Sequence, residues 1–154
     1  MNYTSNTFEY KKFVNNKPVY GGVDLVVEFN EGLVEVIDDC SWKRLKSNIA
    51  NFQEIGILEL WKSNAIAAAR STVKYLNHPH KIRVIVKDVW GIYTDTQPSH
   101  IGAATIIGIF DLINRPLSRS ILYVIDNCVS KTKQNITPNY DLVVREILEY
   151  KAKL

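Results

Sequence analysis

Ile82, Val84 and Val86 alternate with Lys81, Arg83 and Lys87, so residues 81–87 read as a strand with one buried face. Residues 7–29 read as a hairpin: FEYKKFV, a turn at NNKP, then VYGGVDLVVEF, where Val23, Leu25, Val27 and Phe29 alternate with Asp24 and Glu28. Asn30-Glu31-Gly32 marks a second turn. Leu33, Val34, Val36 and Ile37 around Glu35 then predict a third strand, ending at Asp38-Asp39, that completes a three-stranded antiparallel ladder.

The pattern elsewhere is helical. Ile55, Leu58, Trp61, Ala65, Ala68, Ala69, Val73 and Leu76 recur at helical spacing and predict a long amphipathic helix over 54–76, with Lys62, Arg70 and Lys74 on its polar face. Asn77-His78-Pro79-His80 breaks it before the strand at Lys81. A second helix over 98–114 starts at Pro98, with Gln97 or Thr96 as cap, and is apolar or small nearly all round, so it is buried on most sides. Gly102 and Gly108 lie within it at a cost of about 1 kcal/mol each against alanine, which predicts close approach by a neighbouring element. Asn114-Arg115-Pro116 stops it, ILYVI at 121–125 reads as a fifth strand, and 126–139 reads as loop. Residues 140–154 form a last amphipathic helix, with Leu142, Val143, Ile147 and Tyr150 on one stripe and Arg145, Glu149 and Lys153 on the other. Residues 40–53 are the least legible; Ser41 is a candidate cap for a short helix presenting Lys43, Arg44 and Lys46, against a solvated connection with Trp42 and Leu45 tucked down.

These elements predict an α+β two-layer sandwich in βββαβα order, with helices on one face of a mostly antiparallel four-stranded sheet, plus a C-terminal helix. A length of 154 residues fits a single domain. Lys and Arg number 19 against 16 Asp and Glu, a formal net charge of +3, which permits an anionic partner without demanding one. The N-terminus lacks the apolar core of a signal peptide and no run approaches membrane-spanning length, so the expectation is a cytoplasmic protein that does not engage the membrane.

Candidate chemistry is sparse. Cys40 and Cys128 lack metal-ligand spacing and read as buried thiols, with a single disulfide as the alternative. His78 and His80 flank a proline and read as surface turn residues rather than ligands, and the Asp38-Asp39 pair reads as solvated. His100 falls in the first turn of the second helix, where a neutral imidazole continues the helix. No phosphate loop, dinucleotide fingerprint or catalytic pair is present, so the expectation is no enzyme, no nucleotide hydrolysis, no metal and no cofactor.

The stretch GIYTDTQPSHIGAATIIGIFDLI resembles the second half of the fourth domain of translation elongation factor G, with Gly91, Tyr93 and Ser99 matching without gaps. Tyr20-Gly21 matches the Tyr-Gly that follows that family's basic tip loop, and Lys17 falls where the family has arginine. The resemblance covers roughly 8–114 and leaves out the guanine-nucleotide domains. The tips depart from it: Asn15, Asn16 and Pro18 replace loop glycines, and Thr94 stands where the family commonly has histidine. A small-subunit ribosomal protein domain and bacterial ribonuclease P protein share the outline and bind RNA. The resemblance therefore implies an RNA- or ribosome-binding module, partnered by ribosomal or other structured RNA. Its candidate contacts are Lys17, Tyr20, Lys43, Arg44, Lys46, Lys81, Arg83 and Thr94. The alternative is a diverged protein-interaction domain of the same fold.

Overall fold

The computed structural model describes residues 2–14, 16–44, 52–92 and 94–153. The elements run β1 (Asn2–Val14), β2 (Lys17–Asn30), β3 (Glu35–Asp38), α1 (Phe52–Tyr75), β4 (Lys81–Trp90), α2 (Pro98–Leu112), α3 (Arg119–Lys131) and α4 (Tyr140–Ala152). Among the described residues the four strands form one mostly antiparallel sheet in the order β1-β2-β4-β3, with the helices packed on one face and a helix at the C-terminal end. The predicted α+β sandwich is thus present.

Period-two burial explains the sheet. Val23, Leu25 and Val27 of β2 and Ile82, Val84 and Val86 of β4 are buried under the helices, while Val26, Glu28, Arg83 and Ile85 belong to the opposite, open face. β1 and β2 pair along their whole length, from Asn2 opposite Phe29 to Val14 opposite Lys17. In β4 one residue is extra: Leu25 faces Val86 but Asp24 faces Asp88, leaving Lys87 as a bulge. The bulge reverses the alternation beyond it, so Val89 enters the core while Asp88 and Trp90 join the open face.

The third strand corrects the predicted ladder. β3 starts at Glu35, after the exposed Leu33 and Val34, and pairs in parallel with β4 rather than with β2. A parallel neighbour needs a long crossover, and the 24 residues of α1 supply it. The predicted fifth strand at 121–125 is also corrected, because it lies inside α3. Short apolar runs fit either period, and here Ile121, Val124, Ile125 and Val129 are the buried positions, at helical spacing. Ser118 caps that helix by accepting from Ile121 N, so the loop expected over 126–139 begins only after Lys131. In α4, Val143 and Ile147 of the predicted stripe face inward together with Tyr140 and Val144, whereas Leu142 and Tyr150 are exposed. The short helix expected within 40–53 falls largely outside the described residues.

α2 is the central helix. All of its residues except Ile107 and Asp111 are buried, with the sheet below, α1 and α3 alongside and Tyr140 of α4 against it. Asn114 ends it in left-handed backbone (φ 62), while Arg115 N donates to Phe110 O and Asn114 N to Asp111 O. Gly102 makes room for the Tyr140 ring, since a Cβ there would lie 2.1–2.4 Å from its atoms. The buried Tyr140 hydroxyl donates to Asn64 Oδ1 at 2.6 Å, and Asn64 Nδ2 donates to Leu60 O and Thr137 Oγ1. Tyr140→Phe strips the buried Asn64 oxygen of its donor and should cost about 1–2 kcal/mol in urea unfolding. An unchanged midpoint would mean that another donor replaces the hydroxyl.

Candidate nucleic-acid interface

The two segments expected to form the tips meet at one end of the sheet, where the β1–β2 hairpin runs on past the last residue of β4. Tyr20 N donates to Asp95 O at 3.3 Å, tying the hairpin to the loop between β4 and α2. That loop is closed by Thr96, whose hydroxyl accepts from Ile92 N at 2.8 Å. Gln97 precedes the first turn of α2, but its side-chain oxygen accepts from Asn135 N, leaving His100 Nδ1 to accept from Gln97 N at 2.9 Å. His100 is buried, with its Cβ 3.0 Å from where a side chain on Gly21 would begin and its ring stacked on Tyr10. Burial pushes its pKa down to about 4, against weaker opposition from the Tyr20 and Asp95 backbone beside it, so the ring is neutral.

A cleft of about 420 Å³ opens on this end, between the hairpin and the start of the loop after β4. Its floor is Trp90, placed on the open face by the Lys87 bulge. The indole N–H donates to Tyr20 Oη at 2.7 Å. Gly22, opposite Trp90, lets the ring lie against the backbone, where a Cβ would fall 2.2–2.5 Å from ring atoms. The Arg44 guanidinium covers the ring at 4.2 Å from its centroid.

Arg44 is held there by its own backbone. Ser41 N donates to Lys87 O, Trp42 turns the chain in left-handed backbone (φ 55), and Arg44 N donates to Asp88 Oδ2 at 3.2 Å. Asp88 is buried, and burial raises its pKa against the opposing pull of the Arg44 and Val89 amides. Asp24 Oδ2 lies 3.7 Å from Arg44 Nε and is the carboxylate nearest the guanidinium among the described ion pairs. Lys11 and the exposed Phe13 of β1, with Pro18, Ile92, Glu9 and Asp95, complete the rim.

Of the sequence candidates, Tyr20 and Arg44 meet in this cleft, exposed Lys17 sits at the hairpin tip, and Lys43 adjoins Arg44. Thr94 lies on the other side of the joined tips, beside Lys17 and His100 in a second depression of about 700 Å³. Lys81 is at the opposite end of β4. Arg83 is seven residues from Trp90, roughly 23 Å along an extended strand, and is held between Glu28 Oε2 at 3.2 Å and Glu35 Oε1 at 2.6 Å. Lys46 lies outside the described residues, as does Tyr93. Lys12 points to the helix side and pairs with Asp126 of α3. Trp90, Lys11 and Phe13 are additions to the sequence candidates. Period-two alternation in FEYKKFV is the signal that could have put Lys11 and Phe13 on one face, whereas Trp90 could be found only through the bulge.

His80 Nδ1 lies 3.7 Å from Glu31, and His78 stacks on Phe29. Cys40 and Cys128 are free thiols, that of Cys40 pushed up to about 11 by burial. Among the described residues no group of three or more His, Cys, Asp or Glu side chains could hold a metal ion, and no helix is long and apolar enough to cross a membrane. No family model matches the sequence, and no curated protein matches it. A crystal structure of a protein from Thermus thermophilus is similar over 75% of this chain and 16% of that one, at 14% identity and a TM-score of 0.49.

Proposed function

We propose that the domain is a non-enzymatic RNA-binding module of the kind implied by its resemblance to the fourth domain of elongation factor G, and that it engages ribosomal or other structured RNA through the joined tips. The observation that carries this reading is the convergence of Lys11 and Arg44 with the Tyr20–Trp90 pair at one end of the sheet, with Lys17 at the hairpin tip beside the neighbouring depression. Cations beside aromatic surface serve both the phosphates and the bases of RNA. The middle of the open face is a poorer candidate, because Arg83 there is offset by Glu28 and Glu35.

Binding should appear at low ionic strength and weaken as salt rises, with a logarithmic slope of roughly 0.7–0.9 per neutralised phosphate. Filter binding with a structured RNA tests location. Lys17→Glu should weaken binding about tenfold or more and lower the slope by roughly one or two phosphates. Lys153→Glu, at the end of α4, should change little, and Arg83→Glu should affect stability more than binding because it breaks the ion triad. Equal effects from all three substitutions would reduce the interaction to nonspecific attraction. A second reading, a protein-interaction domain, is favoured by Phe13 and Ile92, 78% and 50% exposed at the same end. Absence of RNA binding at low salt would select it.

A further inference from the structure

We propose that the cleft beside Trp90 receives one unstacked base of a single-stranded RNA segment, seated on the outer face of the Arg44 guanidinium; this rests on the RNA-binding reading above. Trp90 has no free face to offer, because Gly22 backs one side and Arg44 covers the other. What the cleft presents instead is the Arg44 guanidinium, its Cζ 4.2 Å from the centroid of the indole beneath it. The Arg44 side chain is 48% exposed. Guanidinium planes are stacking surfaces for splayed bases, and an Arg already stacked on Trp loses little further freedom when a base settles on it.

The surroundings fit a nucleotide. Phe13 and Ile92 offer exposed apolar flanks for the edges of a ring, and Lys11 at the rim supplies a cation for a neighbouring phosphate, with Lys17 farther out at the hairpin tip beside the second depression. The volume lies in the lower part of the range of small-ligand sites, enough for a base and too confined for a base pair in a stacked duplex. Glu9 and Asp95 are the carboxylates of the lining. Carboxylate oxygens accept hydrogen bonds, and cytosine presents its N4 amino donor where uracil presents the O4 acceptor, so this lining favours the amino edge of cytosine over uracil.

Fluorescence anisotropy with labelled oligocytidylate, oligouridylate and a blunt RNA duplex tests this, using wild type, Arg44→Ala and Arg44→Lys. Lysine keeps the charge and loses the plane. We expect oligocytidylate to bind more tightly than the other two probes, and both Arg44 variants to lose roughly tenfold on it, within the range for removing one base-stacking contact. The duplex should lose about twofold or less with Arg44→Lys. Thermal melts of the variants matching wild type exclude misfolding as the cause. Arg44→Lys binding oligocytidylate as wild type does would reduce Arg44 to a charge and overturn the stacking site, and equal affinity for the two single strands would overturn the amino-edge selection. In either case salt-dependent binding that is still lost in Lys17→Glu leaves the RNA-binding reading standing. No binding to any of the three probes at low salt removes both.

Discussion

Lowering the pH from 7 to 4 is expected to remove about 3 kcal/mol of stability through His100 alone. Its ordinary pKa of 6.5 applies to the unfolded chain, while burial holds the folded value at about 4. Between these values the unfolded state binds a proton that the folded state refuses. The His100 contribution is therefore fully present above pH 6.5, falls by about 1.4 kcal/mol per pH unit below it, and is exhausted near pH 4. Geometry gives the same sign. His100 Nδ1 accepts the Gln97 N–H, and a protonated ring would set one N–H against another. His100→Gln keeps an acceptor at the third helical position and removes the titration. The difference between wild-type and His100→Gln stabilities, measured by urea unfolding from pH 7 to pH 4, should carry this slope, since carboxylates and the other two histidines cancel in the subtraction. Parallel profiles would refute the assignment, as would an NMR titration of His100 with a midpoint near 6.5. Because His100 also touches Gly21 and the tip loop, the acid-induced loss should begin at the end of the molecule that carries the proposed RNA site.

Much of this architecture was legible in the chain because burial on one face writes itself as a period. The alternation from Val23 to Phe29 and from Lys81 to Lys87 marked the core face of β2 and β4, and the nearly continuous apolar surface from Ile101 to Ile113 marked a helix enclosed on most sides. What stayed hidden depended on partners distant in sequence. Glu35–Asp38 reads as a strand, but no local feature says that β4, more than forty residues later, takes the place beside β2. ILYVI satisfied a strand pattern because five apolar residues are too few to separate the two periods, and only Val129 and the Ser118 cap extend the helical one. The candidate site was half legible. Tyr20 and Arg44 stood out by residue type, but extending the alternation of 82, 84 and 86 would have buried Trp90 in the core. The extra residue at Lys87 sends it to the open face, where it holds Arg44. Arg83 shows the reverse: as an alternating cation it looked available for phosphate, until pairing placed Glu28 on one flank and Glu35 on the other.

Gly108→Leu is expected to destabilise the protein by about 1–3 kcal/mol, although leucine is the better helix former by most of 1 kcal/mol. The loss must therefore come from packing. At Gly108 the helix backbone lies directly on the hairpin: a Cβ would fall 2.5 Å from the Phe8 ring and 2.9 Å from Leu25 Cδ1. The two neighbours differ in how far they can yield. Phe8 is only half-buried, near the sheet edge, and its ring can turn outward, whereas Leu25 is 1% exposed beneath the centre of the helix. Alanine should be tolerated through movement of Phe8, with part of the strain offset by the gain in helix propensity. Leucine adds three more carbons in the same direction and must lift α2 from β2. Thermal unfolding should show a fall in Tm of roughly 2–10 °C. The double variant Gly108→Leu with Phe8→Ala should recover part of it, because the truncated ring leaves space on the side where the new side chain presses. Such recovery is a coupling between touching residues and has no reason to appear if glycine serves only the backbone. An unchanged Tm for the single leucine variant would place this face of α2 away from the sheet, and with it would go the packing of the central helix on β1 and β2.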